Sequence, residues 1–229
     1  MTTSNATDTQ ILGEFRILEI GPRLAGSVTG RLFAELGAEV IKIEPIGGDP
    51  IRFRGPFNNG NSSQAGGLFV SQNAGKTVVE LDMTAAEGYE SFKTLAREAD
   101  MIVSSWNPSD SQKLSLDPTS LQALNPTAVI VYITPFGLTG PNSQHTGSDL
   151  VIFHSSGLAK SLTGPVEDPS ETAPVRANGQ QSEFIAGTAA ACAGMFGLFR
   201  KENSNVGAVI DISMQESLAF MDIVSLSNA

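Results

Sequence analysis

Two arginines and a lysine stand where loops meet apolar runs, positions at which a fold can present cations to an anionic ligand. Gly48-Asp-Pro-Ile-Arg52-Phe-Arg54 is a Gly/Pro-rich turn after one apolar run, and Lys76 ends a long polar stretch just before another. Gly21-Pro-Arg-Leu-Ala-Gly26 joins a strand to a helix, and the free amides at such a helix start can hold an anion. It lacks the Gly-x-Gly-x-x-Gly spacing of a dinucleotide turn. Trp106 ends an apolar run, and ligands of parallel sheets sit at the carboxyl ends of strands; a core tryptophan fits the position equally well. His145 and His154 have no cysteine or paired carboxylate at ligand spacing, so no metal is expected. There is no Gly-x-Ser-x-Gly elbow and no Walker loop.

Composition narrows the classes further. A chain of 229 residues with 41% hydrophobic and 17% charged residues has the makings of one large globular domain. Its net charge of −10 disfavours nucleic acid, because neutralising phosphates needs a basic face. An acidic chain can still bind an anionic cofactor where its few cations converge. The single cysteine, Cys192, lies in an apolar helical pattern and reads as a small buried core residue. One cysteine permits no disulfide within the chain, which fits a reducing cytoplasm. Residues 1–10 are polar, and no apolar run is expected to reach membrane-spanning length.

Alternating elements must position these residues. Phe15 to Ile20 predicts a strand, Ala25 to Leu36 a helix with Val28, Leu32, Phe33 and Leu36 on one face, and Glu39 to Glu44 a second strand. Residues 46–75 read as a long irregular connection, a feature that is usually functional. Thr77 to Met83 predicts a strand, and Thr84-Ala-Ala-Glu87 a capping box for a helix running to about Ala99 with Tyr89, Phe92, Leu95 and Ala96 inward. Strands follow at Met101 to Trp106 and Ala128 to Thr134. Gly147 to Lys160 predicts a helix, and Ser182 to Lys201 a long one with Phe184, Thr188, Ala191, Met195 and Phe199 on one stripe. Val206 to Met214 reads as a strand and Gln215 to Leu226 as a last, apolar helix. The repeated crossovers predict an α/β fold: a Rossmann-like, mostly parallel sheet with helices on both faces.

Several of these segments, in this order, resemble the family III CoA-transferases, the group of formyl-CoA transferase and carnitine CoA-transferase. The resemblance runs through Leu12-Gly-Glu-Phe-Arg-Ile-Leu-Glu-Ile, Ala25-Gly26, Leu36-Gly-Ala-Glu-Val-Ile-Lys-Ile-Glu-Pro45 and Gly48-Asp-Pro-Ile-Arg52. It continues through Asn73-Ala-Gly-Lys76, Glu80-Leu-Asp-Met83, Pro135-Phe-Gly-Leu-Thr-Gly-Pro141, Asp149-Leu-Val, Ser156-Gly-Leu, Gly187-Thr-Ala-Ala-Ala and Val209-Ile-Asp-Ile-Ser-Met-Gln-Glu-Ser. Any one match is weak; their order and spacing together are specific.

The resemblance implies a site for coenzyme A or an acyl-CoA, as substrate and not as a prosthetic group. Ala25, Asn73, Gly75 and Lys76 are implied in binding it, with Lys76 near the phosphates. Trp106 stands where the family carries an aromatic, and Lys113 where it usually has arginine; a lysine can still meet a phosphate, without the bidentate fork. Phe136 and Gly137 match the turn that borders the acyl thioester. The catalytic position departs from the family. Four residues before the glycine matched by Gly187 the family uses an aspartate, which attacks the acyl-CoA to give an anhydride and then a CoA thioester; here Glu183 stands there. Glutamate is competent for the same route. Near a helix start it is expected to stay ionised, and an aspartate would restore the family's reach. Two readings stand: a working glutamate variant, or a degenerate site that binds CoA without transferring it. Gln180 and Gln181 flank it as candidate oxyanion donors.

The racemase branch of the same superfamily carries a histidine immediately before the aspartate matched by Asp149. Ser148 occupies that place here, so acyl-CoA racemase activity is the weaker enzyme reading. Family members are also longer. Residues 1–229 would be the N-terminal part of the CoA-binding large domain, lacking the small domain and the C-terminal return segment. The expected partners are an acyl-CoA and a carboxylic acid, with no nucleic acid and no membrane, and either a homodimer, interlocked in the family, or association with a missing segment.

Overall fold

The computed structural model of the chain describes residues 10–61, 64–164, 166, 168 and 170–222. Six strands form one sheet: β1 (Arg16–Ile20), β2 (Glu39–Glu44), β3 (Thr77–Glu80), β4 (Met101–Ser104), β5 (Val129–Thr134) and β6 (Ala208–Ser213). Their order is β3-β2-β1-β4-β5-β6, and every pairing is parallel. β4 and β5 are buried along their whole length and β1 from Ile17 on, as expected of parallel strands covered on both faces. Alternate residues feed two cores. Ile17, Met101, Val103, Val129 and Val131 point to one side, and Leu18, Ile20, Ile102, Ile130 and Tyr132 to the other.

The first core is closed by α1 (Leu24–Glu35) and α8 (Gln181–Ser204), the second by α3 (Ala86–Glu98) and α5 (Pro118–Leu124). Phe92 and Ala96 of α3 are fully buried, with Tyr89 and Leu95 beside them, as the helical period predicts. The α3 start is not the capping box expected: Ala85 occupies the cap, and the Thr84 hydroxyl donates to Asp82 Oδ1 instead. The connection 46–75 is more regular than expected. It holds two 3-10 turns, Pro50–Phe53 and Asn58–Gly60, and α2 (Gly67–Gln72). The strand expected to reach Trp106 ends at Ser104, and α4 (Pro108–Lys113) follows. The helix expected over 147–160 is two, α6 (Asp149–Ser155) and α7 (Leu158–Thr163), broken where Gly157 turns left-handed. α9 (Met214–Ala219) is shorter than expected, and residues 223–226 of that expectation lie outside the described ones.

The helix α8 packs by its small residues. Ala186, Gly187, Ala190, Gly194 and Gly197 face inward, and a Cβ at Gly187 would lie 2.7 Å from both the Ala25 carbonyl oxygen and Val28 Cβ. The close approach of α8 to α1 therefore needs glycine. Of the stripe read from the sequence, Phe184, Thr188 and Phe199 face outward, and Cys192 is exposed, not buried. Phe196 and Phe199 are 75% and 72% exposed, which leaves an apolar outer face on this helix. By length and composition α8 could cross a membrane, contrary to expectation; here it is a packing helix against α1, α9, β5 and β6.

Candidate active site

In a sheet of order 3-2-1-4-5-6 the chain direction of the crossovers reverses between β1 and β4, and the crevice beyond their carboxyl ends is where ligands bind. Here that crevice is a cavity of about 580 Å³. Pro22 and Arg23 reach it from β1, Ser105, Trp106 and Asn107 from β4, Pro50 and Arg54 from the loop after β2, and Gln180 and Glu183 from the start of α8. Gly21 makes the strand ends meet: its φ is +105°, and a Cβ there would fall 2.6 Å from Ser105 Oγ. The Arg23 amide donates to the same oxygen at 3.1 Å.

Glu183 lies in the first turn of α8, 8% exposed, and points at the start of α1. The Ala25 amide donates to Glu183 Oε2 at 2.9 Å, and Arg23 Nη1 stands 3.4 Å from Oε1. The carboxylate thus sits at two helix N-termini at once, where backbone partial charges favour an anion. Burial nevertheless pushes its carboxyl above the ordinary range. Arg23 and the Ala25 amide oppose the rise, and Asp149 adds to it. The helix start favours the anion as expected, and desolvation, the largest influence, acts against it. Arg23 is fixed by Gly147, whose carbonyl accepts from Nη1 at 3.1 Å and Nη2 at 3.2 Å, and by Asn107 Oδ1 at 3.4 Å. Asp149 Oδ1 accepts from the Ser182 amide at 2.9 Å and from the Ser182 hydroxyl, which pins the α8 start.

The residues that the resemblance implied fall into three groups. Glu183 and Trp106 line the cavity, and Ala25, itself buried behind the lining, donates its amide to Glu183. Trp106 also borders a second, largely apolar cavity of about 410 Å³ shared with Ile43, Leu81 and Met83. It is therefore a wall between two spaces as well as a core contact. Lys113 is exposed beside Asp110, 3.0 Å away, at the end of α4. Phe136 and Gly137 follow β5, with the Phe136 ring edge-on to His145, and line neither cavity.

Asn73, Gly75 and Lys76 are turned away from the crevice. The Lys76 ammonium is enclosed, donating to Glu19 Oε2 at 2.6 Å, the Ser27 carbonyl at 2.8 Å and Asn73 Oδ1 at 3.0 Å. The reason is Glu19, a buried carboxylate on β1 that needs counter-charge. Lys42 supplies more, 2.7 Å from Glu19 Oε1 and 2.8 Å from Asp49 Oδ2. Gly75 forms the turn before Lys76. Gln180 lines the cavity, whereas the Gln181 amide donates to the Asn178 carbonyl. The structure adds Arg23, Asn107 and Asp149, which the fold brings to the cavity from distant parts of the chain, and Arg176, which lines it from the segment just before α8. Among the described residues no three His, Cys, Asp or Glu side chains cluster as metal ligands.

The known proteins agree with this architecture. A crystal structure of a CAIB/BAIF family protein from Brucella suis superposes with a TM-score of 0.82 at 27% identity, covering 93% of this chain and 56% of that one. The subunit BbsE of a succinyl-CoA:(R)-benzylsuccinate CoA-transferase from Thauera aromatica is 35% identical over 96% of this chain and 52% of its own length. A succinyl-CoA–D-citramalate CoA-transferase from Chloroflexus aurantiacus is 32% identical over 92% and 51%. The chain spans about half the length of the curated relatives it matches. The family model for CoA-transferase family III matches residues 12–226, and by that match, over an all-parallel sheet with its crevice between β1 and β4, the chain belongs to CoA-transferase family III.

Proposed function

We propose that this chain carries the nucleophile of a CoA transfer between an acyl-CoA and a carboxylic acid. The observation that supports it is Glu183, a carboxylate held at the crevice by the Ala25 amide at 2.9 Å. Its oxygen adds to the thioester carbonyl; the C–S bond breaks, leaving a mixed glutamyl anhydride and CoA thiolate. The thiolate then attacks the glutamyl carbonyl, releasing the first acid as carboxylate and leaving a glutamyl-CoA thioester. The acceptor carboxylate reverses these steps and leaves as the new acyl-CoA. Arg23 and the two helix starts keep Glu183 aimed and favour its anion, while its raised pKa marks the desolvation that keeps it reactive.

In this reading CoA lies over the ends of β1 and β4 along Trp106, with Lys113, Phe136 and Gly137 at its margin. Ala25 acts through Glu183, and Asn73, Gly75 and Lys76 act by holding the scaffold. Residues 1–229 act as the CoA-binding part of a larger assembly. The apolar outer face of α8 supports a dimer or another partner, and the single cysteine a reducing cytoplasm. The test is to mix the chain with an acyl-CoA, quench with hydroxylamine or borohydride, and read the Glu183 peptide by mass. A hydroxamate or reduced alcohol at Glu183 is expected. An unmodified peptide, with acyl-CoA shown to bind, would instead establish the degenerate CoA-binding reading.

A further inference from the structure

We propose that Asp149 is a positioning residue for Glu183: one of its oxygens fixes the turn that carries the nucleophile, and the other holds a second buried negative charge against it. The inference deepens the transfer reading above and rests on it. Residues 147–149 lie between the two helix starts that flank Glu183. The Gly147 carbonyl accepts from Arg23, the N-cap of α1. Asp149 Oδ1 holds the start of α8, accepting from the Ser182 amide at 2.9 Å and from the Ser182 hydroxyl. Ser182 is the residue before Glu183, so these bonds set the direction of the first turn of α8.

Fixing a helix start needs no charge. An asparagine oxygen could accept both bonds from Ser182. What the aspartate adds is Oδ2, which is buried and has no hydrogen-bond partner among the described residues. Arg23, the nearest guanidinium to the nucleophile, pairs with Glu183 and not with Asp149. Asp149 and Glu183 are each 8% exposed and line the same cavity. A buried carboxylate with an unpaired oxygen is costly, and its field reaches farther than in water. At Glu183 that charge opposes ionisation together with burial, against Arg23, Arg54 and the Ala25 amide, which favour it. Of the other charged groups on the cavity wall, Asp110 is taken by Lys113 and Arg176 stands in the exposed segment before α8. The consequence is a stronger nucleophile. Thiolates weaken as attacking groups when their pKa falls, and the same holds for a carboxylate. Arg23 and the Ala25 amide alone would leave Glu183 a weakly basic anion. Asp149 offsets part of their effect, so Glu183 meets the thioester as a more basic one.

The first test reads Glu183 without any substrate. Carbon-13-labelled glutamate carboxyls of the 229-residue chain are titrated by NMR, and the Glu183 signal is the one that Glu183→Gln removes. In Asp149→Asn the ionised fraction of Glu183, at a pH below the parent midpoint, should rise about threefold or more. Ser182→Ala loosens the helix start and leaves the charge, so it should give no such rise. Asp149→Ser takes the place of the asparagine variant if that one does not fold. An unchanged ionised fraction in Asp149→Asn would overturn the proposal. So would an equal rise in Ser182→Ala, which would assign Asp149 to the helix start alone. The second test mixes the same proteins with succinyl-CoA and follows the glutamyl adduct by intact mass. At a pH where Glu183 is fully ionised, Asp149→Asn should form it about twofold more slowly. A rate at or above the parent's would overturn the gain in nucleophilic strength. A parent that binds succinyl-CoA and forms no adduct would remove the transfer reading, while the titration still decides whether Asp149 acts on Glu183.

Discussion

Shortening Glu183 by one methylene decides whether the glutamate is fitted to this backbone. Glu183→Asp draws the carboxylate back by about 1.5 Å, one C–C bond. The hydrogen bond from the Ala25 amide, 2.9 Å in the native chain, then passes out of reach. A hydrogen bond to a charged group is worth about 1.5–3 kcal/mol, and a misplacement of ~1 Å of a reacting group can reduce the rate ~100-fold. Both effects point the same way, so the aspartate variant should transfer CoA about 100-fold more slowly. This reverses what the family's aspartate suggests from sequence, because α1 and α8 are spaced here for the longer side chain. Glu183→Gln should form no adduct yet keep the Ala25 contact through its amide oxygen. Its stability follows from the raised carboxyl pKa. The native state favours the protonated form, so that contribution is present below the unfolded pKa and lost as pH rises through the folded one. At pH 7 the neutral isostere should therefore melt no lower than the parent. The assay is the rate of CoA adduct formation by intact mass, with melting curves alongside. Adduct formation by Glu183→Asp at or above the parent rate would refute the fit.

Three further outcomes are expected. Glu19 sits between two buried lysines; burial alone would raise its pKa, but Lys42 and Lys76 hold it at about 2. Its stabilisation is thus full above about pH 4.5 and lost as pH falls toward 2, and Glu19→Gln should destabilise by about 3–5 kcal/mol at pH 7 and by less at pH 3, read by urea unfolding. Gly187→Ala forces a Cβ to within 2.7 Å of the Ala25 carbonyl, so it should cost about 1–3 kcal/mol in the same assay and slow adduct formation, because Glu183 lies one turn away. Phe196→Asp with Phe199→Asp removes the apolar outer face of α8 and should lower the mass seen by light scattering without lowering the melting temperature.

Much of the sheet was legible because parallel strands are short apolar runs with turn residues between them. Glu39–Glu44 matched to the residue and Arg16–Ile20 and Val129–Thr134 to within one, since their side chains are buried on both faces. The orientation of α8 was not legible. Its aromatic stripe looked like the core side, but contact with α1 is set by glycines and alanines, which carry almost no hydrophobic signal. Cys192 was misplaced for the same reason. Glu183 was found through resemblance and not through chemistry, for a glutamate in a helix is ordinary in any sequence. Arg23, Asn107 and Asp149 became visible only with the strand order. Lys76 shows the opposite error: a cation at a loop end reads as available, while a buried Glu19 57 residues away claims it.

The contact between Ala25 and Glu183 spans 158 residues of chain. During synthesis at roughly 5–20 residues per second, α1 is made on the order of ten seconds or more before the segment that brings its carboxylate. Until then the α1 start has no carboxylate to meet, and a chain ending before α8 lacks the Glu183 side of the crevice. The crevice is therefore assembled from chain segments made far apart, and it is complete only once α8 has been made and has packed back on α1.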